Sequence, residues 1–332
     1  MRITREWAVQ RTYILSVVAG LLVVPHAVDA QHHKTAARPA TAQAFDERML
    51  ATQVALDRAG FSPGEIDGAG GTKTSLALSA YRSSSGGSLS TSDDALTTYS
   101  ITEQDAAGPF IDAVPSDMME EAKLPALGYT GVLEAVSEKF HSSPALLKRL
   151  NPGAAWKAGE SIKVPNVEPF EVPSKAPAAR AGRAGRGGTQ AGSEASSPVE
   201  VVISGATRSL QVRDSSGKIL MHAPITTGSE HDPLPVGEWK VTGVSWNPVF
   251  NYNPDLFWDA NSTQSKAKIA AGPNNPVGVV WVDINKEHFG LHGTPEPSTI
   301  GRTESHGCIR LTNWDATKLG RLVSPGTKVI IQ

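Results

Sequence analysis

Two hydrophobic periods divide the chain. Between residues 44 and 167 apolar side chains recur three and four positions apart, and Phe45, Met49, Leu50 and Val54 predict a short amphipathic helix that Gly60 stops. After the turn-rich FSPGEIDGAGGTKT, Thr72 is placed to cap a second helix through Leu76 and Tyr81. Residues 98–125 show no clear period. Val132, Leu133, Val136 and Phe140 then share one helix face, Pro144 opens a helix with Leu146, Leu147 and Leu150, and Asn151-Pro152-Gly153 ends it before a strand at Ser161 to Val164. From Val199 the period shortens: Val199 to Ile203, Leu210 to Val212, Trp239 to Val244, Val279 to Ile284 and Val329 to Ile331 read as strands, with Ser215-Ser216-Gly217 as a turn. One helix interrupts them between Thr312 and Val323, with Trp314, Leu319 and Leu322 on one face and Asn313 near its cap. The pattern predicts a multi-domain chain in which small α and α+β modules precede a C-terminal β-dominated domain, sandwich or barrel-like. About 130 residues of strands are enough to close one core.

The first thirty residues follow another logic. Arg2, Arg5 and Arg11 precede an apolar run from Tyr13 to Val24, Pro25 breaks it, and Val28-Asp29-Ala30 supplies small residues ahead of Gln31. That is the order of a secretory signal, and the run falls short of the roughly 20 apolar residues of a membrane span. The expectation is export to the periplasm or cell envelope; an uncleaved signal would leave the chain membrane-anchored. Residues 31–43 read as disordered. Residues 168–198, rich in Ala, Gly, Ser and Pro, read as a flexible linker. With 31 basic against 33 acidic residues, no polycationic field for nucleic acid exists.

The chain has 1 cysteine, Cys308, inside HGTPEPSTIGRTESHGCIR (292–310). A lone thiol in an exported protein is either buried and inert or used for its reactivity. A free thiol is only about 3% thiolate at neutral pH, so a reactive Cys308 requires a cationic or hydrogen-bonding neighbour; His292, His306 and Arg310 are at hand. A histidine can take the thiol proton and return it to a leaving amine, whereas an arginine can hold a carboxylate through paired hydrogen bonds. Gly307 lets backbone N–H groups approach a developing oxyanion. On spacing alone other readings stay open. His288, His292, His306 and Cys308 could be zinc ligands, or the cysteine could be inert; a redox pair lacks its second cysteine. His222 and His231 read as ordinary surface or loop histidines. Trp246, Tyr252 and Trp258 are candidates for either a lid or core packing.

Three stretches also resemble known families. His292-Gly293-Thr294, with Ser305-His306-Gly307-Cys308-Ile309-Arg310, is similar to the active-site motif of the L,D-transpeptidase (YkuD-like) family. GPNNPVG at 272–278 and the hairpin TTGSEHDPLPVGEW, where Leu234 stands in for the usual Thr, extend that likeness over 199–332. VALDRAGFSPGEIDGAGGTKTSLALSAY resembles the start of a peptidoglycan-binding helical module, assigned to 44–97, with Asp93, Ala95 and Leu96 as the remnant of its third helix. After a connector at 98–125, residues 126–167 resemble the second half of a LysM glycan-binding repeat; a packing module that braces the catalytic domain is the other reading of that segment.

The resemblance implies Cys308 as nucleophile, His292 as base, the Gly293 carbonyl as its orienter, and His306 and Gly307 shaping the site and its oxyanion hole. Arg310 and Ser305 would contact the substrate. It further implies a thioester route to 3→3 cross-links between peptidoglycan stem peptides, glycan contacts by the N-terminal modules, and inhibition by carbapenem-type β-lactams. No cofactor and no metal is called for. Carboxypeptidase or hydrolase action at the same site, wall-protein attachment or detachment, and a non-catalytic wall-binding scaffold are the alternatives.

Overall fold

In the computed structural model, residues 44–173 and 198–332 are described. The readings made for residues 1–43, and for 174–197 within the linker, lie outside them.

The N-terminal half begins with α1 (Glu47–Arg58), whose first turn is capped by the Asp46 carboxylate accepting from the Arg48 and Met49 amides. Gln53, buried on α1, donates to Asp67 and the Ala69 carbonyl and accepts from the Gly68 amide, so one side chain holds the whole Asp-Gly turn. The following helix, α2 (Thr72–Ser85), is capped by Gly71 without a side-chain bond, and Thr72 is its first helical residue instead of its cap. Next come β1 (Leu96–Ser100) and the single-turn helices α3 (Glu103–Ala106) and α4 (Met118–Glu121). The predicted helix pair follows as α5 (Val132–Lys139) and α6 (Pro144–Leu150), the latter capped by Ser143 with Pro144 at its first position, where a missing N–H costs nothing. β2 (Ser161–Pro165) closes this half by pairing antiparallel with β1, Leu96 opposite Pro165.

That pairing corrects the expected third helix at Asp93 to Leu96. LTTYS is rich in β-branched and aromatic residues, and its partner strand lies more than sixty positions away. It also merges the two expected modules. Leu50, Val54 and Ile66 share one buried cluster with Val136, Phe140, Leu146, Ile162 and Val164, so 44–97 and 126–167 build a single core.

The C-terminal half is one eight-stranded sheet. Its strands are β3 (Val199–Ser204), β4 (Ser209–Asp214), β5 (Ile219–Pro224), β6 (Gly237–Trp246), β9 (Val280–Ile284), β10 (Gly290–His292), β11 (Ile309–Arg310) and β12 (Lys328–Ile331); a small hairpin, β7 (Phe250–Tyr252) with β8 (Ala267–Ile269), stands apart. The order across the sheet is β11-β10-β9-β6-β12-β3-β4-β5. The C-terminal strand β12 is central, parallel to β3 and antiparallel to β6. The sheet curls until its ends meet: Thr226, just beyond β5, exchanges backbone hydrogen bonds of 3.0 and 2.9 Å with Arg310 of β11. Of the two architectures left open, the barrel-like one is present. α7 (Asn313–Leu322) packs on the curl with Trp314, Ala316 and Leu319 inward, and its cap is Thr312, with Asn313 beside it.

The two halves are packed together. Ser62 donates to Asp315, His141 stacks on Trp314 with ring centres 5.1 Å apart, and Asn274 donates to the Gly128 carbonyl and to Glu134. The start of the expected linker also belongs here. Phe170 is 6% exposed within the catalytic-half core, and its amide donates to the Lys139 carbonyl at 2.7 Å. His222, expected at the surface, is 2% exposed; the Gly60–Ser62 segment pairs with its backbone and Phe61 stacks on its ring. Burial holds its imidazole down at about 4. Phe170→Ala should lower the urea-derived unfolding free energy by about 3–5 kcal/mol, the cost of truncating a buried aromatic side chain. A residue of a free linker would change it by less than about 0.5 kcal/mol.

Candidate active site

The curl leaves a cleft of about 870 Å³ over β10 and β11, lined by His292, Cys308, Arg310, His306, Trp258 and Phe289 among others. β10 and β11 run parallel, with His292 opposite Arg310 in the register. This pairing brings together residues sixteen to eighteen positions apart in sequence. Met118 of α4 also reaches the cleft, so the N-terminal half supplies part of its wall.

His292 is buried, and its ring lies flat on Trp281, centres 5.3 Å apart and planes 12° off parallel. Its Nδ1 is 2.7 Å from the Gly293 carbonyl oxygen. A carbonyl can only accept, so Nδ1 carries the proton and Nε2 keeps a lone pair. Burial, aided by the nearby Arg310 charge, pulls the imidazole down to about 3, which keeps it neutral at ordinary pH.

Cys308 is half-buried, and its thiol reaches toward the His288 carbonyl at 3.7 Å; His288 itself has a left-handed backbone, φ +63°. Burial pushes the thiol above its ordinary range, and the Gly290 amide and Arg310 only partly offset this. The sequence reading expected a neighbour that lowers the thiol pKa. Desolvation wins instead, and the resting site is a neutral thiol in the same cleft as a neutral imidazole. Such a pair reacts by moving the proton as the sulfur attacks.

The neighbouring motif residues divide in their roles. Gly307 has φ +95°, and an added Cβ would lie 2.7 Å from the Phe289 ring, so both backbone and space require glycine. His306 is fixed by Nε2 against Asp259 at 2.7 Å and by the rings of Phe257 and Trp258. Arg310 lines the cleft while its backbone closes the sheet. Ser305 is the correction: expected among the substrate contacts, it is buried and donates to the Cys308 carbonyl at 2.7 Å, bracing the turn that carries the thiol. Among the described residues no three His, Cys, Asp or Glu side chains gather as metal ligands.

The aromatic candidates also divide. Trp258 is 58% exposed, lines the cleft and stacks on His231. Tyr252 is buried and donates to Gln264, and Trp246 packs toward Gly320 of α7 as part of the core. Sequence reasoning missed Asp259, Trp281 and Asn313. Asp259 and Trp281 sit in segments without motif character. Asn313 was legible only as a cap.

The sequence is similar to known proteins. Residues 198–331 match the YkuD family, described as the L,D-transpeptidase catalytic domain. A putative L,D-transpeptidase YkuD of Bacillus licheniformis is 27% identical over 203 residues, 60% of this chain and 92% of that protein; its Bacillus subtilis counterpart is 26% identical over 202 residues, with the same shares. A solved L,D-transpeptidase from Mycobacterium smegmatis aligns at 21% identity and a TM-score of 0.33, over 40% of this chain and 58% of that one. The C-terminal half of this chain is a YkuD-type L,D-transpeptidase catalytic domain.

A neutral resting pair has a kinetic signature. Iodoacetamide alkylation of Cys308 should climb in a single step centred above the ordinary thiol value of about 8.5. It should show no plateau between about pH 5 and 7, where a preformed thiolate–imidazolium pair would already react. Such a plateau would overturn the neutral-pair account.

Proposed function

We propose that this chain is an exported L,D-transpeptidase that joins peptidoglycan stem peptides through a thioester on Cys308. The observation that carries the reading is the His292 hydrogen bond to Gly293: it leaves Nε2 unprotonated in the same cleft as the thiol. Cys308 Sγ attacks the carbonyl between the third residue and D-Ala at position four of a donor stem, and its proton passes to His292 Nε2. The C–N bond breaks, the same proton goes to the departing D-Ala nitrogen, and a thioester remains. The amine of a second stem then attacks, gives its proton to His292, and releases the thiol with a 3→3 cross-link formed.

The other cleft residues fit this sequence. Gly307 brings the backbone close enough for its own and the Cys308 amide to face the tetrahedral oxygen. Arg310, a fixed guanidinium in a dry wall, suits a stem carboxylate. His306, held by Asp259 through Nε2 and by two aromatic rings, shapes the donor side. The signal-like residues 1–30 support export, which brings the enzyme to a substrate outside the cytoplasm.

Tetrapeptide-stem muropeptides, incubated with purified wild type and Cys308→Ala and read by mass spectrometry, test the proposal. Cross-linked dimers lacking one D-Ala should form with wild type alone. Tripeptide monomers without dimers would assign carboxypeptidase action to the same thioester, and identical inactivity of both proteins would remove the catalytic claim. A carbapenem should add the mass of one drug molecule to wild type and none to Cys308→Ala; an unmodified wild type would count against a reactive thiol.

A further inference from the structure

We infer that Glu138, on helix α5 of the N-terminal half, is a positioning residue for the base His292, acting through Asn313. The inference rests on the proposed role of His292, and it concerns a carboxylate far from any motif.

Glu138 is buried and does not line the cleft. A carboxylate in such a place is tolerated when donors surround it, and two do: Tyr129 donates its hydroxyl to Oε2 at 2.6 Å, and Asn313 donates Nδ2 to Oε1 at 2.8 Å. Asn313 Nδ2 also donates to the Pro273 carbonyl at 3.1 Å, while its Oδ1 accepts from the Val279 amide at 3.1 Å. Every polar position of the carboxamide is therefore occupied, and Glu138 helps decide which end is nitrogen. The amide is wedged between two chain segments. A Cβ on either Gly278 or Gly293 would lie 2.1 Å from Asn313 Oδ1. The Gly293 segment is the one whose carbonyl accepts from His292 Nδ1. Glu138 thus sets Asn313, Asn313 backs the Gly293 peptide, and that peptide selects the tautomer and direction of the imidazole.

A purely adhesive role is the competing account, because Glu138 also joins the two halves. Other contacts serve adhesion: Ser62 with Asp315, His141 with Trp314, and Asn274 with Glu134. None of them touches the Gly293 peptide. Without Glu138 a buried N–H of Asn313 loses its acceptor, and the amide is held by only the Pro273 and Val279 bonds. A shift of about 1 Å in a catalytic group is enough for a 100-fold loss of rate.

The test uses the full chain with Glu138→Ala, Glu138→Gln, Asn313→Ala, the double variant, and Ser62→Ala as an adhesion control. Transfer between tetrapeptide stems gives kcat and KM, and ¹⁵N-histidine NMR follows the hydrogen-bonded Nδ1 proton of His292, assigned by its loss in His292→Gln. Glu138→Ala should lower kcat about 10- to 100-fold with KM within about twofold. Glu138→Gln, which keeps an acceptor oxygen, should recover to within about threefold of wild type. The double variant should be no worse than Asn313→Ala, as expected of residues acting in one chain of contacts. The His292 proton should shift or broaden in Glu138→Ala and stay unchanged in Ser62→Ala and Glu138→Gln. Should Glu138→Ala not fold, Glu138→Asp, which keeps the carboxyl group but shortens the reach, replaces it with the same expectations. Equal kcat losses in the Glu138 and Ser62 variants, or an unmoved His292 proton in a folded Glu138 variant, would overturn the inference. If wild type transfers nothing, the proposed function fails, and the His292 proton alone decides this inference.

Discussion

A buried imidazole with no acid beside it has one way to be useful as a base: its second nitrogen must be pinned. The 2.7 Å hydrogen bond from His292 Nδ1 to the Gly293 carbonyl does this, and much of the surrounding structure serves to keep that bond in place. Trp281 covers one face of the ring. The neighbouring strand β11 supplies Arg310 opposite His292, and the Leu311 amide donates to the His292 carbonyl at 2.8 Å. The acceptor is a backbone carbonyl, not a carboxylate, and its pull toward the imidazolium is outweighed by burial and the Arg310 charge. The base therefore stays neutral and is ready to accept a proton.

Burial has opposite effects on the two reacting groups, and both favour the uncharged form. It raises the Cys308 thiol and lowers the His292 imidazole. An ion pair waiting at rest would demand that two charges be desolvated together. A neutral pair defers that cost to the step at which the substrate carbonyl supplies a new place for the charge, facing the Gly307 turn. The positive backbone angle at Gly307 and the Phe289 ring beneath it make this turn rigid, and the buried Ser305 hydroxyl ties it from the other side.

Local signals survived the passage from sequence to structure, and pairings across long separations did not. Cys308, His292 and Gly307 were legible as candidates because a nucleophile, a base and a turn at positive φ each need particular residue types, and the 292–310 stretch carries all three. The helices at Val132 and Pro144 were legible through their periodicity. Strand β1 was not, because its ladder depends on Ser161–Pro165 and nothing in LTTYS names its partner. Thr72 looked like a cap from composition, but the chain enters α2 one residue earlier at Gly71. Phe170 was read with the linker because the Ala, Gly, Ser and Pro content of residues 168–198 outweighed one aromatic residue, although a single buried ring is enough to anchor that segment. Asp259 was invisible for a different reason: an acid becomes a partner for His306 only when the excursion between β6 and β9 folds over the cleft.

The packing between halves changes what the N-terminal region is for. A tethered wall-binding module would meet the catalytic domain through a surface that water can enter, with polar contacts that form and break. Here the contacts are of another kind. Leu127 of the N-terminal half donates its amide to Ala271 and accepts from Asn274, continuing the backbone hydrogen bonding of the catalytic half. Gly60 and Ser62 do the same with His222. Glu138, Asp315 and Asn313 are buried at the junction, where each must find a partner from the other half or leave a polar group unpaired. Because separating the halves would expose that set at once, the junction behaves as core. Sites such as Asn313 therefore report on both halves, and the N-terminal residues are part of the structure that holds the base.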